Sequence, residues 1–216
     1  MKWGIGMSLK PGKRQLKSEK NRNLIYNCAI RLFREHGYQK VSVEDIVEAS
    51  GTSVGTFYHY FKSKDELPVL FLTTYLQQSF DEYEERVLVP NQESDVPVLH
   101  QLYAFLIFAQ GLPHEGGEEF LRAATIYMLR EETGQVAYHY ILNPDRSYAR
   151  ICRKLLEEGQ KKGEIRTDRT PEELFEMISV FSNGIDQLCY LNHDEISVTE
   201  VYGGMLQDFV DRMLAA

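Results

Sequence analysis

Thr56, Tyr58, His59, Tyr60, Lys62 and Lys64 bring three hydroxyls, an imidazole and two ammonium groups into one short stretch. On a helix such a set suits the major groove of DNA. A tyrosine ring packs on thymine methyls and sugars, while phenol and ammonium groups reach phosphate oxygens. Phe57 and Phe61 stand four residues apart in the same stretch, on one helical face, and are expected to point inward. Gly55 lets the backbone approach a ligand closely, and Ser42 and Ser53 stand where amides at helix N-termini could hold phosphates. Val54 and Gly55 offer no side-chain hydrogen bond, so Tyr58 and His59 are the leading base-edge residues and DNA shape carries part of the selectivity. Chemistry of other kinds finds no residues to work with. There is no glycine-rich phosphate loop, no paired metal ligands and no nucleophile beside an evident base. The histidines (His36, His59, His100, His114, His139, His193) are scattered, and Cys28, Cys152 and Cys189 match no metal or disulfide spacing. No catalytic residue, metal or cofactor is expected, and a reduced, cytoplasmic setting follows.

These residues must be held by helices. Leu24, Ile25, Cys28, Ala29, Leu32 and Phe33 recur at helical spacing and predict a first helix over about 18–36, stopped by Gly37. Ser42 with Asp45 forms a capping box for a second helix, Gly51 turns the chain, and a third runs from about Val54 to Tyr60. Ser63 with Glu66 is expected to cap a fourth, ending near Val87; Pro68 inside it either is tolerated near the first turn or softens the joint that follows. Further helices are expected near 96–110 and 117–132, from Asn143-Pro144 to Gly163, from Thr170-Pro171, and from Ser197 with Glu200. No segment alternates with the period of a strand. The fold class is therefore all-α, with about nine helices: a flexible basic arm over 1–17, a helix-turn-helix domain over 18–66 and a helical body over 67–216. The arm reads equally as an untidy terminus or as a segment that reaches DNA.

A chain of 216 residues, 43% hydrophobic and 26% charged, suits a globular protein with a real core. Its longest apolar run, Leu102 to Ala109, is too short to span a membrane. The net charge of −8 argues against nucleic acid until it is divided. Residues 1–64 hold 12 Lys and Arg against 5 Asp and Glu, whereas the remainder holds 12 against 27. A basic head on an acidic body concentrates phosphate attraction at one end.

The end of the first helix, FREHGYQKVSVEDI, the turn EASGTSVGTFYHYF and the following KSKDEL together resemble the DNA-binding domain of the TetR family of bacterial transcriptional regulators. The resemblance covers roughly residues 18–70. It implies that Ser53, Val54, Gly55, Thr56, Tyr58 and His59 face the groove, that Tyr60 and Lys64 contact phosphate, and that Ser42 sits at the capping end of the second helix. Past residue 70 it is one of architecture only, and implies an inducer site in the middle helices.

In the body, aromatic residues crowd the middle helices, where they either fill core or line a cavity. Tyr103, Phe108, Gln110, Tyr127, Phe181, Asn183 and Asp186 are the candidate effector-binding residues, and the acidic excess points to a cationic or aromatic ligand or simply to a solvated surface. Apolar residues at three-and-four spacing along the two C-terminal helices suit a four-helix interface across a two-fold axis, with Phe181, Ile185, Leu188, Tyr202, Met205, Phe209 and Met213 as candidate contacts. The partners expected are double-stranded operator DNA, a second copy of the chain and a small-molecule effector, with no membrane. The reading is a homodimeric, ligand-released repressor; a constitutive DNA-binding protein, or an enzyme borrowing a helical head, are the alternatives.

Overall fold

A computed structural model describes residues 13–91, 95–112, 118–130, 143, 145–191 and 198–216. Nine helices form among the described residues: α1 Lys13–His36, α2 Val43–Ser50, α3 Val54–Tyr60, α4 Glu66–Tyr83, α5 Val98–Gly111, α6 Glu118–Met128, α7 Ser147–Lys162, α8 Pro171–Leu191 and α9 Val198–Phe209. The fold is all-α, and the chain divides into two compact units, Met1–Leu67 and Pro68–Ala216.

In the first unit, Ile25, Ala29 and Phe33 of α1 are buried with Ile46 and Val47 of α2 and with Phe57 and Phe61. Leu24, expected on the inward stripe, is 46% exposed instead, because the buried series runs one residue later through Ile25, Ala29, Ile30 and Phe33. The helix also begins at Lys13, inside the stretch expected to be an arm; Lys13 to Lys17 lack glycine and proline and simply continue the helical run. The expected arm before Lys13 lies outside the described residues.

The two short helices are fixed by their ends. Ser42 Oγ accepts the Asp45 amide at 3.1 Å while Asp45 Oδ2 accepts the Ser42 amide at 2.7 Å, so both halves of the capping box form. Gly51 ends α2 at φ 63°, and the Thr52 amide donates back to the Val47 carbonyl at 2.9 Å. Ser53 caps α3 through the Thr56 amide. The expected cap of α4 takes another form. Glu66 Oε2 reaches back to the Lys62 amide at 2.7 Å, one residue further than a capping box allows, and leaves Ser63 Oγ buried without a partner.

α4 runs past its expected end near Val87, through a π turn at Glu84–Leu88 into Val89–Asn91. The widened turn gives the Pro90 ring room where an ordinary turn would press it against the Arg86 carbonyl. In the second unit α5 packs against α7 and α9, and α7 against α8, around a core that includes Phe80, Leu102, Phe105, Ile151, Leu156, Phe175 and Ile178. α7 begins at Ser147, later than Asn143-Pro144 predicts, because Asn143 Oδ1 accepts the Asp145 amide at 2.9 Å in a local turn instead of capping the helix. Gly163 ends it at φ 73°. Thr170 and Glu173 exchange the hydrogen bonds of a capping box at the head of α8. Ser197, the expected cap of α9, lies outside the described residues.

The chain end is latched to the α7–α8 loop. Ile165 and Ala215 form an antiparallel bridge, Arg166 Nη1 donates to the Met213 carbonyl at 3.2 Å, and the Ala216 amide donates to the Glu164 carbonyl. Among the described residues no helix is long and apolar enough to cross a membrane.

Candidate nucleic-acid interface

α3 is anchored on one side and open on the other. Phe57 is fully buried and Phe61 1% exposed, their centroids 5.4 Å apart. Between them Tyr58 is 54% exposed and His59 is exposed as well. At the N-terminus Ser53, Val54 and Gly55 all face solvent, and Thr56 is half-buried with its hydroxyl 2.9 Å from Ser53 Oγ. A Cβ added to Gly55 would meet only Ser53 Oγ, at 3.9 Å, so packing within the unit does not demand a glycine there.

Tyr60 is half-buried, its ring 4.8 Å from His59 and its hydroxyl accepting from Ser18 Oγ of α1 at 3.3 Å. That bond fixes the phenol and leaves its own O–H free to point at an acceptor. Lys62 is exposed. Lys64 is not a free surface charge. Its Nζ donates to the carbonyls of Tyr38 at 3.1 Å and Val41 at 2.9 Å and lies 4.3 Å from the Tyr38 ring centroid. Burial lowers its pKa, with the Asp65 carboxylate opposing. Two of three N–H donors are spent on the loop that leads into α2, which leaves one. Sequence reading missed this bracing role; a lysine and a tyrosine so far apart in the chain carry no local signal that they meet. Ser42 is committed to Asp45, and the hydrogen bonds from its side chain and amide hold that carboxyl below its ordinary range.

The seven candidate effector residues fall into several neighbourhoods of the second unit. Tyr103 reaches the Gly203 carbonyl at 3.5 Å, Phe108 stacks on Tyr83 with centroids 4.5 Å apart, and Phe181 stacks on Phe209 at 4.3 Å. Tyr127 lies under Arg130, and Asn183 Nδ2 donates to the Ser179 carbonyl of its own helix at 2.7 Å. Gln110 and Asp186 differ from the rest: each buries a side-chain oxygen that has no hydrogen-bond partner. Burial raises the Asp186 carboxyl to about 7.

Of the candidate dimer contacts, Leu188, Met205 and Met213 are exposed, at 53%, 53% and 42%. Tyr202, Phe181 and Phe209 are half-buried. Ile185 is instead 3% exposed, since Leu174, Ile178 and Ser182 put that phase of α8 inside its own unit. Val180, absent from the expected set, is 76% exposed. It shares the outer face with Gly184 and Leu188, four and eight residues on, a spacing that could have revealed it.

The capped α2, the turn at Gly51 and the short α3, anchored by two phenylalanines and open along the opposite face, have the architecture of a helix-turn-helix. Residues 25–68 match the family model described as bacterial regulatory proteins, tetR family. The transcriptional regulator AcuR of Cereibacter sphaeroides is 26% identical over 176 residues, 77% of this chain and 77% of its own. The fold is similar to that of a transcriptional regulator from Saccharomonospora viridis in complex with choline (TM-score 0.58, 23% identity, 92% of this chain and 99% of that one). It is also similar to that of the regulator FadR from Bacillus subtilis in complex with stearoyl-CoA (TM-score 0.62, 19% identity, 87% and 97%). Residues 25–68 thus carry the N-terminal region of the tetR family of bacterial regulatory proteins, and the fold of the chain is similar to that of such regulators.

Proposed function

We propose that the protein is a homodimeric repressor, acting in the cytoplasm, that a small-molecule effector releases from its operator. The observation that carries the DNA half is the two-sidedness of α3, with Phe57 and Phe61 sealed and Tyr58 and His59 presented. Ser53, Val54, Gly55, Thr56, Tyr58 and His59 form the groove-facing set, while Tyr60, Lys62, Lys64 and the capped start of α2 at Ser42 hold phosphates. A module of this size reads half-sites about one helical turn or a multiple of it apart, which favours a dimer. The exposed apolar side chains on α8 and α9 support the same reading.

The effector half is supported by the buried, unpartnered oxygens of Gln110 and Asp186, which a filled body without a ligand would be expected to satisfy. Two similar folds carry ligands, choline in one and stearoyl-CoA in the other, so this architecture has room for small molecules. Effector and operator then favour different conformations, and each weakens the other's binding as linkage requires. A tight-binding effector that left operator affinity unchanged would return the protein to the constitutive reading.

Selection of bound fragments from random DNA identifies the operator and tests the reading. Tyr58→Ala and His59→Ala should each weaken operator binding by about tenfold or more, as expected for a lost base contact worth roughly 1–3 kcal/mol, and relax selectivity at particular base pairs. Unchanged affinity in both variants would remove α3 from the interface.

A further inference from the structure

The second unit keeps a carboxylate oxygen that none of its described residues satisfies. Asp186 Oδ1 is sealed from solvent and has no hydrogen-bond partner, and the side chain makes no ion pair among the described residues. Ser182, one turn earlier on α8, is 5% exposed, and its Oγ lies 3.4 Å from the Tyr148 hydroxyl of α7. Tyr148 is near enough to Asp186 that the carboxylate's charge, after burial itself, contributes to raising the phenol's pKa well above its ordinary value. Behind Tyr148 stand rings: Phe80 and Phe105 with centroids 5.6 Å away and Phe175 at 6.1 Å. One corner of the unit thus offers an unsatisfied carboxyl oxygen, two hydroxyls and an aromatic wall. An ionised carboxylate removed from water is costly unless a cation or several donors meet it.

We propose that Asp186 anchors the effector site and that the effector carries a protonated amine. This rests on the effector-responsive reading above and adds the ligand's chemical class. An ammonium N–H donates to Asp186 Oδ1 in a charge-assisted hydrogen bond, the Tyr148 and Ser182 oxygens accept from its remaining protons, and the aromatic wall takes the cation or its apolar substituent. A carboxylate-bearing ligand would meet like charge at the same point. A quaternary ammonium supplies the charge but no donor, and so answers only half of what Oδ1 lacks.

The test uses the full chain at pH 8, with butylamine, cyclohexylamine, benzylamine and 2-phenylethylamine, each beside the alcohol and the carboxylate of matching skeleton. Binding is read by calorimetry and operator release by fluorescence anisotropy. At least one amine should bind roughly ten- to a hundredfold tighter than its alcohol, and Asp186→Asn should abolish that preference. The ligand-free Asp186→Asn protein should unfold at a higher temperature than the unaltered chain at pH 8, since the substitution removes a buried charge that no described residue pairs with. Failure of every amine to bind, equal binding of amine and alcohol, or a lower unfolding temperature for Asp186→Asn would each overturn the proposal. Alcohols or carboxylates that bind and release operator would sink the amine class and leave the effector reading standing. Amines that bind through Asp186 without moving operator affinity would do the reverse.

Discussion

Asp186 and Lys64 show how far one side chain's setting governs what it can do. The Asp186 carboxyl ionises near 3.8 in an unfolded chain and near 7 in the folded one, raised by burial. Between those values the folded state holds a proton the unfolded state has released, so stability falls as pH rises through the window. Tyr148 and Cys152, the titratable groups that α7 brings to this corner, are both pushed upward chiefly by burial and stay protonated throughout. Thermal unfolding followed from pH 4 to 8 should therefore show a decline that Asp186→Asn flattens; an identical slope in the two proteins would show that the carboxyl is solvated. Lys64 carries the opposite lesson. Its ammonium braces the Tyr38 and Val41 carbonyls, besides the phosphate contact proposed for it above. Lys64→Ala should thus cost about 1–2 kcal/mol of stability in addition to weakening DNA binding. Urea unfolding separates the two effects, and a DNA defect without any stability change would leave the lysine a pure phosphate contact.

At the scale of elements, what local chemistry decides was legible and what distant packing decides was not. The Ser42–Asp45 and Thr170–Glu173 capping boxes, and the glycines that end α1, α2 and α7, announce themselves within a few residues. The start of α7 was misplaced because Asn143 can cap a helix or close a turn, and only the fold selects the turn. Ser63 and Glu66 have capping-box spacing, yet the extended backbone that leaves α3 at Phe61, φ −132°, delivers the Lys62 amide to Glu66 instead. Gly159 shows most plainly what spacing conceals. It lies in the last turn of α7, where alanine is intrinsically better, but a Cβ there would sit 2.5 Å from Ile165 Cδ1 and 2.7 Å from Cγ1. Ile165 is itself fully buried beneath the C-terminal latch. Gly159→Ala should destabilise by about 1–3 kcal/mol despite the gain in helix propensity, and pairing it with Ile165→Val, which removes the nearest carbon, should recover part of the loss. Denaturant melts of both variants check this; a stabilised Gly159→Ala would mean that Ile165 moves aside at little cost.

For the whole molecule, the division into a basic head and an acidic body follows from charge counts alone, whereas which apolar side chains stay exposed emerges only from the three-dimensional arrangement. Apolar residues at helical spacing run along both C-terminal helices, and spacing cannot say which of them serve the chain's own core. The structure puts Leu174, Ile178, Ile185 and Leu206 inside and leaves Val180, Leu188, Val201, Met205 and Met213 exposed. Gly184 on α8 and Gly204 on α9 have nothing within 4 Å of where a Cβ would stand, so both helices present low, open ground beside these side chains. Isolated apolar residues on a surface need no explanation, but four on α8 and α9, with Met213 just past the end of α9 and the Phe181–Phe209 stack joining the two helices, make a patch that water covers poorly. If that patch is the two-fold interface, Val180→Glu with Met205→Glu sets carboxylates against their own copies, at a cost on the order of several kcal/mol, because an isologous interface doubles every change. Sedimentation should then report a monomer whose helix content and unfolding temperature match those of the unaltered chain, since neither side chain supports its own core. Binding to a two-half-site operator should fall far more than binding to a single half-site, the dimer having supplied the coupling between them. A double variant that still sediments as a dimer would place the interface elsewhere, and one that is monomeric yet binds the full operator unchanged would show that α3 reads DNA without a partner.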